Sequence, residues 1–470
     1  MQKPTLIILS TLIIPVMSFT TSAQQSPLAP GAAAPSAQST KPAPPPSDPF
    51  ARPGTPSAPA AAKPKKEADP VNLLTTLETW AVNDADALAL LEMPDSQGTR
   101  YAQLQTLAQA GKARLVALTA LSSKSGQRSV VESADEVRYP MEFSPPSRME
   151  DSAFPVAWGT RDAGDLLELE ATRREDESDS INLNIVPRTV RLEGFDEIVT
   201  DPEGTPISKP RFSERRVTTS SLLTVNHPTI LSVSKPLVSD HHPQPTPEMH
   251  VQVLCIAQQP APAPDPSSTA PKAGARVEFL VYRLDRAVAA HLLRESAGSE
   301  PIHTALREHI SSKKAVLESF TAFAAHSGNR TVYEEYMEQP FADEIRSPRY
   351  VGEGAAAIKL PSTPTGFQTK SVGTSIEIEV RIDPKTRYVE VNLVPSIVSY
   401  LGLMQVDGVA QRYPAQPLFS TRKITTSVTA GFGKPMLLGT MNQPRDNGVN
   451  GRKDDGKTSL AFIRVMPLTP

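Results

Sequence analysis

Apolar side chains occupy every second position along many segments of this chain, a spacing typical of β-strands with one buried face. The pattern is clearest in segment 375–393, where it continues on both sides of the turn Asp383–Thr386. The apolar positions there are Ile376, Ile378, Val380, Ile382, Val389, Val391 and Leu393. This segment therefore predicts an antiparallel hairpin with one apolar and one polar face.

A second hairpin is predicted in segment 167–185, around the acidic run Arg173–Ser180. We interpret the acidic run as a solvated loop tip, because its spacing matches no calcium-binding loop. Further strands are predicted at Arg215–Val225, His250–Ala257, Arg422–Phe432 and Ser459–Met466. Short strands separated by turns fit a sandwich or part of a larger barrel.

A helix is predicted early in each half of the strand-rich region. In the first half the apolar residues recur at three- and four-residue intervals and Gly111 follows them, at the place where helix C-termini favour glycine. These residues are Tyr101, Leu104, Leu107 and Ala108, and the second half has Leu306 and Ile310 on one face. Strands are predicted around the helices at Thr75–Val82, Arg114–Ser123 and Val277–Leu284. Each half therefore begins with a small strand–helix–strand module.

The two halves are copies of one unit. The segment Ser125–Ser133 (SGQRSVVES) recurs at Ser327–Glu335 (SGNRTVYEE), 202 positions later. Ile181–Pro187 matches Val389–Pro395, and the steps of later matches differ by only a few residues, as small loop insertions would produce. We therefore predict a β-rich α+β fold made of two tandem repeats, residues 71–258 and 275–470, each with its module followed by an antiparallel sheet.

The N-terminal segment carries the pattern of a secretory signal. Lys3 precedes the apolar stretch Thr5–Phe19, and the small residues Thr21–Ala23 follow it, which predicts a signal peptide of residues 1–23 cleaved after Ala23. An uncleaved membrane anchor is the alternative, but it requires about 20 continuous apolar residues and Pro15 interrupts this stretch. We expect an exported protein of the periplasm or outer membrane of a Gram-negative-type bacterium.

Two segments have the composition of linkers. Residues 24–70 are rich in Pro and Ala and lack the large apolar side chains that would compensate for ordering, so we predict a disordered tether. Residues 259–274 form a shorter Pro-rich linker between the repeats. The formal net charge of −3 predicts no nucleic-acid partner. The single cysteine, Cys255, lies in an apolar run and is interpreted as a small buried hydrophobe.

The sequence contains no pattern that predicts catalysis. The segment Gly431–Lys434 lacks the spacing of a phosphate-binding loop and is interpreted as a hairpin turn, like its counterpart Val225–Pro228. Ser311–Lys314 contains the spacing S-x-x-K without the companion motifs of acyl-serine enzymes. His241, His242 and His250 lack partners at zinc-ligand spacing. We therefore predict a protein that is not an enzyme and has no catalytic residues, no cofactor, no metal and no small-molecule substrate.

The order of motifs in the second repeat resembles the C-terminal domain of secretins, the outer-membrane channel proteins of type II and type III secretion and of pilus systems. In secretins a TR-x-x-x-T strand, an apolar strand ending in glycine and a closing strand follow one another. The corresponding residues are Thr421-Arg422, Thr425-Thr426, Leu437-Leu438-Gly439 and Phe462-Ile463-Arg464. The first repeat matches with Glu214-Arg215-Arg216, Thr218-Thr219 and Ile230-Leu231, while Ser232 replaces the glycine.

The resemblance implies a non-enzymatic envelope protein, a structural or accessory component of a type II/III secretion or pilus-type assembly. Expected partners are further copies of the chain and other envelope proteins, with a possible association with the outer membrane. Two departures bear on pore formation: the polar segment Asn442–Lys457 replaces an apolar one, and the unit is duplicated. The alternative is a monomeric periplasmic or surface binding protein built from two such modules without a pore.

Overall fold

The structure, a computed structural model, describes residues 70–94, 98–145, 153–174, 179–200, 206–236, 247–266, 274–404, 415–444, 449 and 453–468. The predicted signal peptide and all of the predicted tether except Pro70 lie outside these residues, as do parts of the acidic run and of the segment Asn442–Lys457.

Repeat 1, residues 71–258, opens with a strand, two short helices and a return strand. Its elements are β1 Val71–Asn83, α1 Asp84–Glu92, α2 Thr99–Gln109, β2 Ala113–Lys124, β3 Gln127–Ser144, β4 Phe154–Arg173, β5 Ser180–Thr200, β6 Pro206–Arg216, β7 Thr219–Thr224, β8 Thr229–Ser234 and β9 Glu248–Pro260. The Asn83 side chain accepts a hydrogen bond from the Asp86 backbone and so caps α1. Gly111 adopts a φ of 71° just after α2, as the sequence predicts.

Repeat 2, residues 275–470, follows the same order. Its elements are β10 Gly274–Asp285, α3 Arg286–Glu295, α4 Ser299–Ser311, β11 Ala315–His326, β12 Arg330–Arg346, β13 Arg349–Val351, β14 Ile358–Leu360, β15 Thr363–Ile382, β16 Tyr388–Met404, β17 Gln416–Gly431, β18 Pro435–Thr440 and β19 Lys457–Pro467. The Asp285 side chain caps α3 through the backbone N–H of Ala287. The long strand β17 stands where repeat 1 has the two shorter strands β6 and β7.

Both large sheets run through the two repeats. The eight-stranded sheet has the order β11-β10-β19-β18-β2-β1-β9-β8, and the nine-stranded sheet has β12-β15-β16-β17-β3-β4-β5-β6 with β7 also paired to β5. All neighbouring strands in these sheets are antiparallel, and β13 pairs only with β14. In each sheet four strands of repeat 2 are followed by the strands of repeat 1.

The two sheets pack face to face, as in a sandwich. Their common core combines side chains of the eight-stranded sheet, such as Phe279 and Ile463, with side chains of the nine-stranded sheet, such as Ile378 and Val391. The helices cover the other face of the eight-stranded sheet, where Tyr282 and Phe462 pack under α3 and α4. Strand β10 is therefore buried on both faces, so most of its residues are apolar.

The fold is thus a β-rich α+β fold with antiparallel sheets, as the sequence predicts. The hairpin predicted at 375–393 is formed by β15 and β16, and that at 167–185 by β4 and β5. Helices α1 and α3 were not predicted. The predicted linker is partly strand, because β9 continues to Pro260.

Each repeat also curls in the nine-stranded sheet until its first and fourth strands meet. In repeat 1 the rings of Tyr139 on β3 and Phe212 on β6 lie 6.0 Å apart, and in repeat 2 Phe341 on β12 and Phe419 on β17 lie 5.8 Å apart. The two pairs are at corresponding positions of the repeats.

None of the described helices is long and apolar enough to cross a membrane.

Candidate assembly interface

The nine-stranded sheet joins the repeats through the strand pair β17–β3. These strands pair in antiparallel register over seven residues, from Phe419 opposite Glu136 to Thr425 opposite Val130. Within this register Lys423 of repeat 2 lies opposite Glu132 of repeat 1. Opposite charges at directly facing positions favour this register over its neighbours.

The eight-stranded sheet joins the repeats more narrowly, at the pair Gly439–Leu121 between β18 and β2. Gly439 has a φ of 147°, and a Cβ on it would overlap the backbone oxygen of Ala120. The Thr440 hydroxyl accepts a hydrogen bond of 3.1 Å from the Ala120 N–H, and the Asn442 side-chain amide donates to the Leu118 carbonyl at 2.8 Å. Close backbone approach at a glycine therefore holds this junction.

A buried amide connects the two sheets across the junction. Asn72 on β1 is fully buried; its Nδ2 donates to the Thr429 carbonyl and its Oδ1 accepts from the Thr429 N–H, both at 2.8 Å. The side chain thus pairs with a backbone peptide group of β17 as a neighbouring strand would. The backbone N–H and the backbone carbonyl of Thr429 both bind this one residue of the other repeat.

Helix α3 of repeat 2 adds a charged contact on the helix side. Arg294 donates to Glu78 at 2.7 Å and to the Tyr101 hydroxyl at 3.0 Å, while Glu78 also accepts from Tyr101 and from Trp80 Nε1 at 2.9 Å each. Only 4% of Glu78 is exposed, so its charge is balanced within the protein. Burial, reinforced by the Glu78 carboxylate, raises the pKa of Tyr101 above its ordinary value.

A cavity of about 250 Å³ lies between the repeats, with lining residues from both sheets. Several charged side chains on its wall pair with groups of the chain itself. Arg286 pairs with Asp454 and donates to the Val116 carbonyl at 2.8 Å. The charged side of this cavity is thus a further link between α3 and repeat 1.

Each strand that joins the two repeats has a counterpart in the other repeat, and these counterparts are the outermost strands of the two sheets. In the described part of the chain, β11 and β12 of repeat 2 and β6 and β8 of repeat 1 are the outermost strands. Large apolar side chains are exposed near them, including Phe320 at 55% and Met337 at 71%. Sheet ends with free backbone groups and exposed apolar residues are sites where another chain can add.

Most residues that the sequence singled out as candidate functional groups have a role in the fold. Cys255 on β9 is half-buried rather than fully buried, and its burial raises the pKa of the thiol to about 11, which disfavours the reactive thiolate. The segment Gly431–Lys434 forms the turn between β17 and β18, and Val225–Pro228 forms the turn between β7 and β8. Ser311 ends α4, where its hydroxyl donates to the Arg307 carbonyl.

The histidines do not gather into a site among the described residues. His250 lies on β9 with its Nδ1 3.3 Å from Arg215, whereas His241 and His242 fall outside the described residues. No group of three or more His, Cys, Asp or Glu that could hold a metal ion occurs in the ranges that the structure describes. The sequence patterns missed the junction because no motif marks which strands of the two repeats become neighbours.

His303 is a buried group whose protonation bears on stability. Its Nε2 lies 3.0 Å from the Tyr282 hydroxyl, within an aromatic cluster that includes Phe462. Burial, together with the positive charges of Arg464 and Arg307, lowers the pKa of His303 to about 4. The ring is therefore neutral in the folded protein at pH 7.

The folded protein should lose stability as the pH falls from about 6.5 towards 4, because His303 takes up a proton in the unfolded chain before it does so in the folded one. Between pH 7 and pH 5 we expect His303 to account for a loss of about 2 kcal/mol. Urea unfolding of the parent protein and of His303→Gln at both pH values measures it. Equal pH dependence in both proteins would contradict the prediction.

Comparison with known proteins gives a weak structural likeness. No family model matches the chain, and no curated protein matches it. Among solved structures, the type II secretion system secretin GspD of E. coli K12 is similar over 40% of this chain and 48% of that chain, with 10% sequence identity and a TM-score of 0.15. The match therefore spans about half the length of that secretin. At such a TM-score the likeness carries no argument, so the function must be argued from the sheets themselves.

Proposed function

We propose that this chain is a non-enzymatic, secretin-like structural protein of the cell envelope, which acts by joining sheet edges into a larger assembly. The observation that carries the proposal is the junction between the repeats. Two copies of one module have merged both of their sheets by edge pairing, through β17–β3 and β18–β2. A unit that joins edge to edge within one chain has the property that an assembling protein requires.

The charged and polar groups at the junction support a structural role for this region. Asn72, Arg286 and Arg294 each bind a partner in the other repeat, and these partners are Thr429, the Val116 carbonyl and Glu78. A catalytic site requires polar groups that are positioned for a substrate. These groups instead satisfy one another across the repeats. The predicted export signal and the order of secretin-like motifs are consistent with a role in the envelope.

The proposal is tested by the mass of the mature protein, residues 24–470, recovered separately from membrane and soluble fractions. We expect light scattering to give several times the mass of one chain, and negative-stain images to show rings or rods. A protein that remains monomeric in both fractions and at all concentrations would contradict the proposal. It would support the alternative, a monomeric binding protein built from two modules.

A further inference from the structure

We infer that a second copy of this chain pairs its β12 with β6 of the first copy, in the register that β3 and β17 use within one chain. This inference rests on the proposed function and specifies its partner and contact. Strand β12 is the counterpart of β3 at a step of 202 residues, and β6 is the counterpart of the start of β17 at a step of 207. The junction inside the chain is therefore a template for the contact between chains.

The structure supports the alignment of β12 with β3. Gly164 on β4 lies opposite Ala134 of β3, and Gly373 on β15 lies opposite Tyr336 of β12. A Cβ on either glycine would overlap the backbone oxygen of the preceding residue of that partner strand. The same close approach at the same step shows that the two strand pairs correspond residue by residue.

The intrachain register can then be transferred to two chains. Inside the chain, Arg422 lies opposite Ser133 and Lys423 lies opposite Glu132. The corresponding residues on the outer edges place Arg215 opposite Glu335 and Arg216 opposite Glu334. Two facing pairs of opposite charge result, and directly opposed charges of unlike sign stabilise cross-strand pairing.

The exposure of corresponding residues agrees with a missing neighbour. Ala134 on β3 is 6% exposed because β17 covers that edge, whereas its counterpart Tyr336 on β12 is 49% exposed. On the eight-stranded sheet Leu118 is 1% exposed and its counterpart Phe320 is 55% exposed. Repeat 2 thus covers an apolar surface of repeat 1, whereas the corresponding apolar surface of repeat 2 is exposed.

The helices show the same difference in exposure, here between α3 of repeat 2 and α1 of repeat 1. Leu293 of α3 is 6% exposed and Ala290 is 1% exposed, both in the cluster that includes Leu74 and Leu118 of repeat 1. Their counterparts on α1, Leu91 and Leu88, are 37% and 52% exposed. A second copy on the β6 side would bring the apolar surface around Phe320 towards α1.

The curl of each repeat leaves the proposed pairing segment of β12, residues 332–338, open. The far end of β12 contacts repeat 1 of its own chain, where Asp343 pairs with Arg138 of β3, but that contact lies beyond this segment. In repeat 2 the Phe341–Phe419 contact draws β17 towards β12, yet the outer edge of β17 still pairs with β3. Strand β6 has the equivalent contact through Tyr139 and Phe212. Its outer edge has the same freedom to pair.

Two substitutions distinguish the contact between chains from the junction within one. Ser232 is the repeat 1 counterpart of Gly439, the glycine that allows close approach. Gly274 is the repeat 2 counterpart of Asn72, whose side chain binds Thr429. The contact between chains therefore lacks both the glycine and the buried asparagine of the junction, and it depends more on its facing charges. We expect it to be reversible and to weaken with salt.

The contact joins unlike surfaces, since the β6 side of one chain meets the β12 side of the next. Such head-to-tail contacts produce a ring where the rotation closes and a filament where it does not. Every chain added in this way presents the same free β6 side to the next.

Charge reversal tests the register. Arg216 and Glu334 are both exposed, so Arg216→Glu and Glu334→Arg should fold normally, which circular dichroism checks. Each variant alone places like charges opposite each other, and we expect it to assemble at about tenfold higher concentration than the parent. The double variant in one chain restores opposite charges at every contact and should assemble like the parent. An equal mixture of the two single variants restores them wherever the variants alternate, so it should assemble at lower concentration than either variant alone.

The exposed Glu353, away from these strands, provides a matched control for Glu334→Arg as Glu353→Arg, which changes the net charge by the same amount and should assemble like the parent. The inference is overturned if the single variants assemble like the parent, or if the double variant fails to recover. In that case an assembling parent still supports the proposed function, whereas a parent that is monomeric throughout contradicts both.

Discussion

Replacement of Gly439 by alanine is expected to lower the free energy of unfolding by about 4 kcal/mol. Two effects contribute. The residue has a φ of 147°, which side chains rarely adopt, and the new Cβ would overlap the Ala120 oxygen and crowd the Leu121 Cα. Since both obstacles are backbone atoms of β2, relief requires β18 and β2 to separate. Urea unfolding of the full chain measures the loss.

The matched control is Gly298→Ala. Gly298 precedes α4 with a φ of 127°, but no atom lies within 4 Å of the position that its Cβ would take. This variant reports the backbone strain alone, which we expect to lower stability by about 1–3 kcal/mol. If Gly439→Ala destabilises the protein no more than Gly298→Ala, close approach of the repeats at Gly439 is not what stabilises the junction.

The strands of this fold were predictable because most of them have one strongly apolar side. In segment 375–393 the alternation is regular on each side of the turn, and β15 and β16 form the predicted hairpin. Helix α1 was missed for a physical reason. It has nine residues and leaves Leu88 and Leu91 exposed, so neither a long apolar stripe nor a matching polar face marks it. Helix α3 buries Ala289, Ala290 and Leu293 on one face, so its pattern was recognisable but was not recognised.

The partners of the strands were not predictable. Alternation specifies which face of a strand is buried, but it does not specify which strand lies beside it. Thr425 and Val130 are far apart in the sequence and face each other only because the two repeats dock edge to edge. The sequence did single out Gly439 and its counterpart Ser232, yet their significance depends on the backbone of β2.

The residue that the sequence patterns most clearly concealed is Asn72. A polar side chain near the start of a strand is ordinarily expected to face solvent, and nothing near Asn72 in the sequence indicates a partner more than 350 positions away. The structure shows it fully buried, with both ends of its amide bound to Thr429. A buried polar side chain in an apolar strand is retained where it satisfies other buried polar groups.

Replacement of Asn72 by alanine should therefore lower the free energy of unfolding by about 3 kcal/mol. The variant leaves the Thr429 N–H and carbonyl without their partner in a region where Thr429 is only 5% exposed. Each buried polar group that loses its hydrogen bond costs about 1–3 kcal/mol. Urea unfolding gives the change, and faster hydrogen exchange at the Thr429 amide should locate it at the junction.

Asn182→Ala is the matched control, because Asn182 also lies on a strand, β5, but its side chain is exposed. We expect this control to change stability by less than about 0.5 kcal/mol. Similar losses in the two variants would mean that the amide clamp adds nothing beyond the general effect of removing an asparagine from a strand. A large loss confined to Asn72→Ala, with faster exchange at Thr429, would show that repeat 1 and repeat 2 are joined through this one side chain as well as through their strand edges.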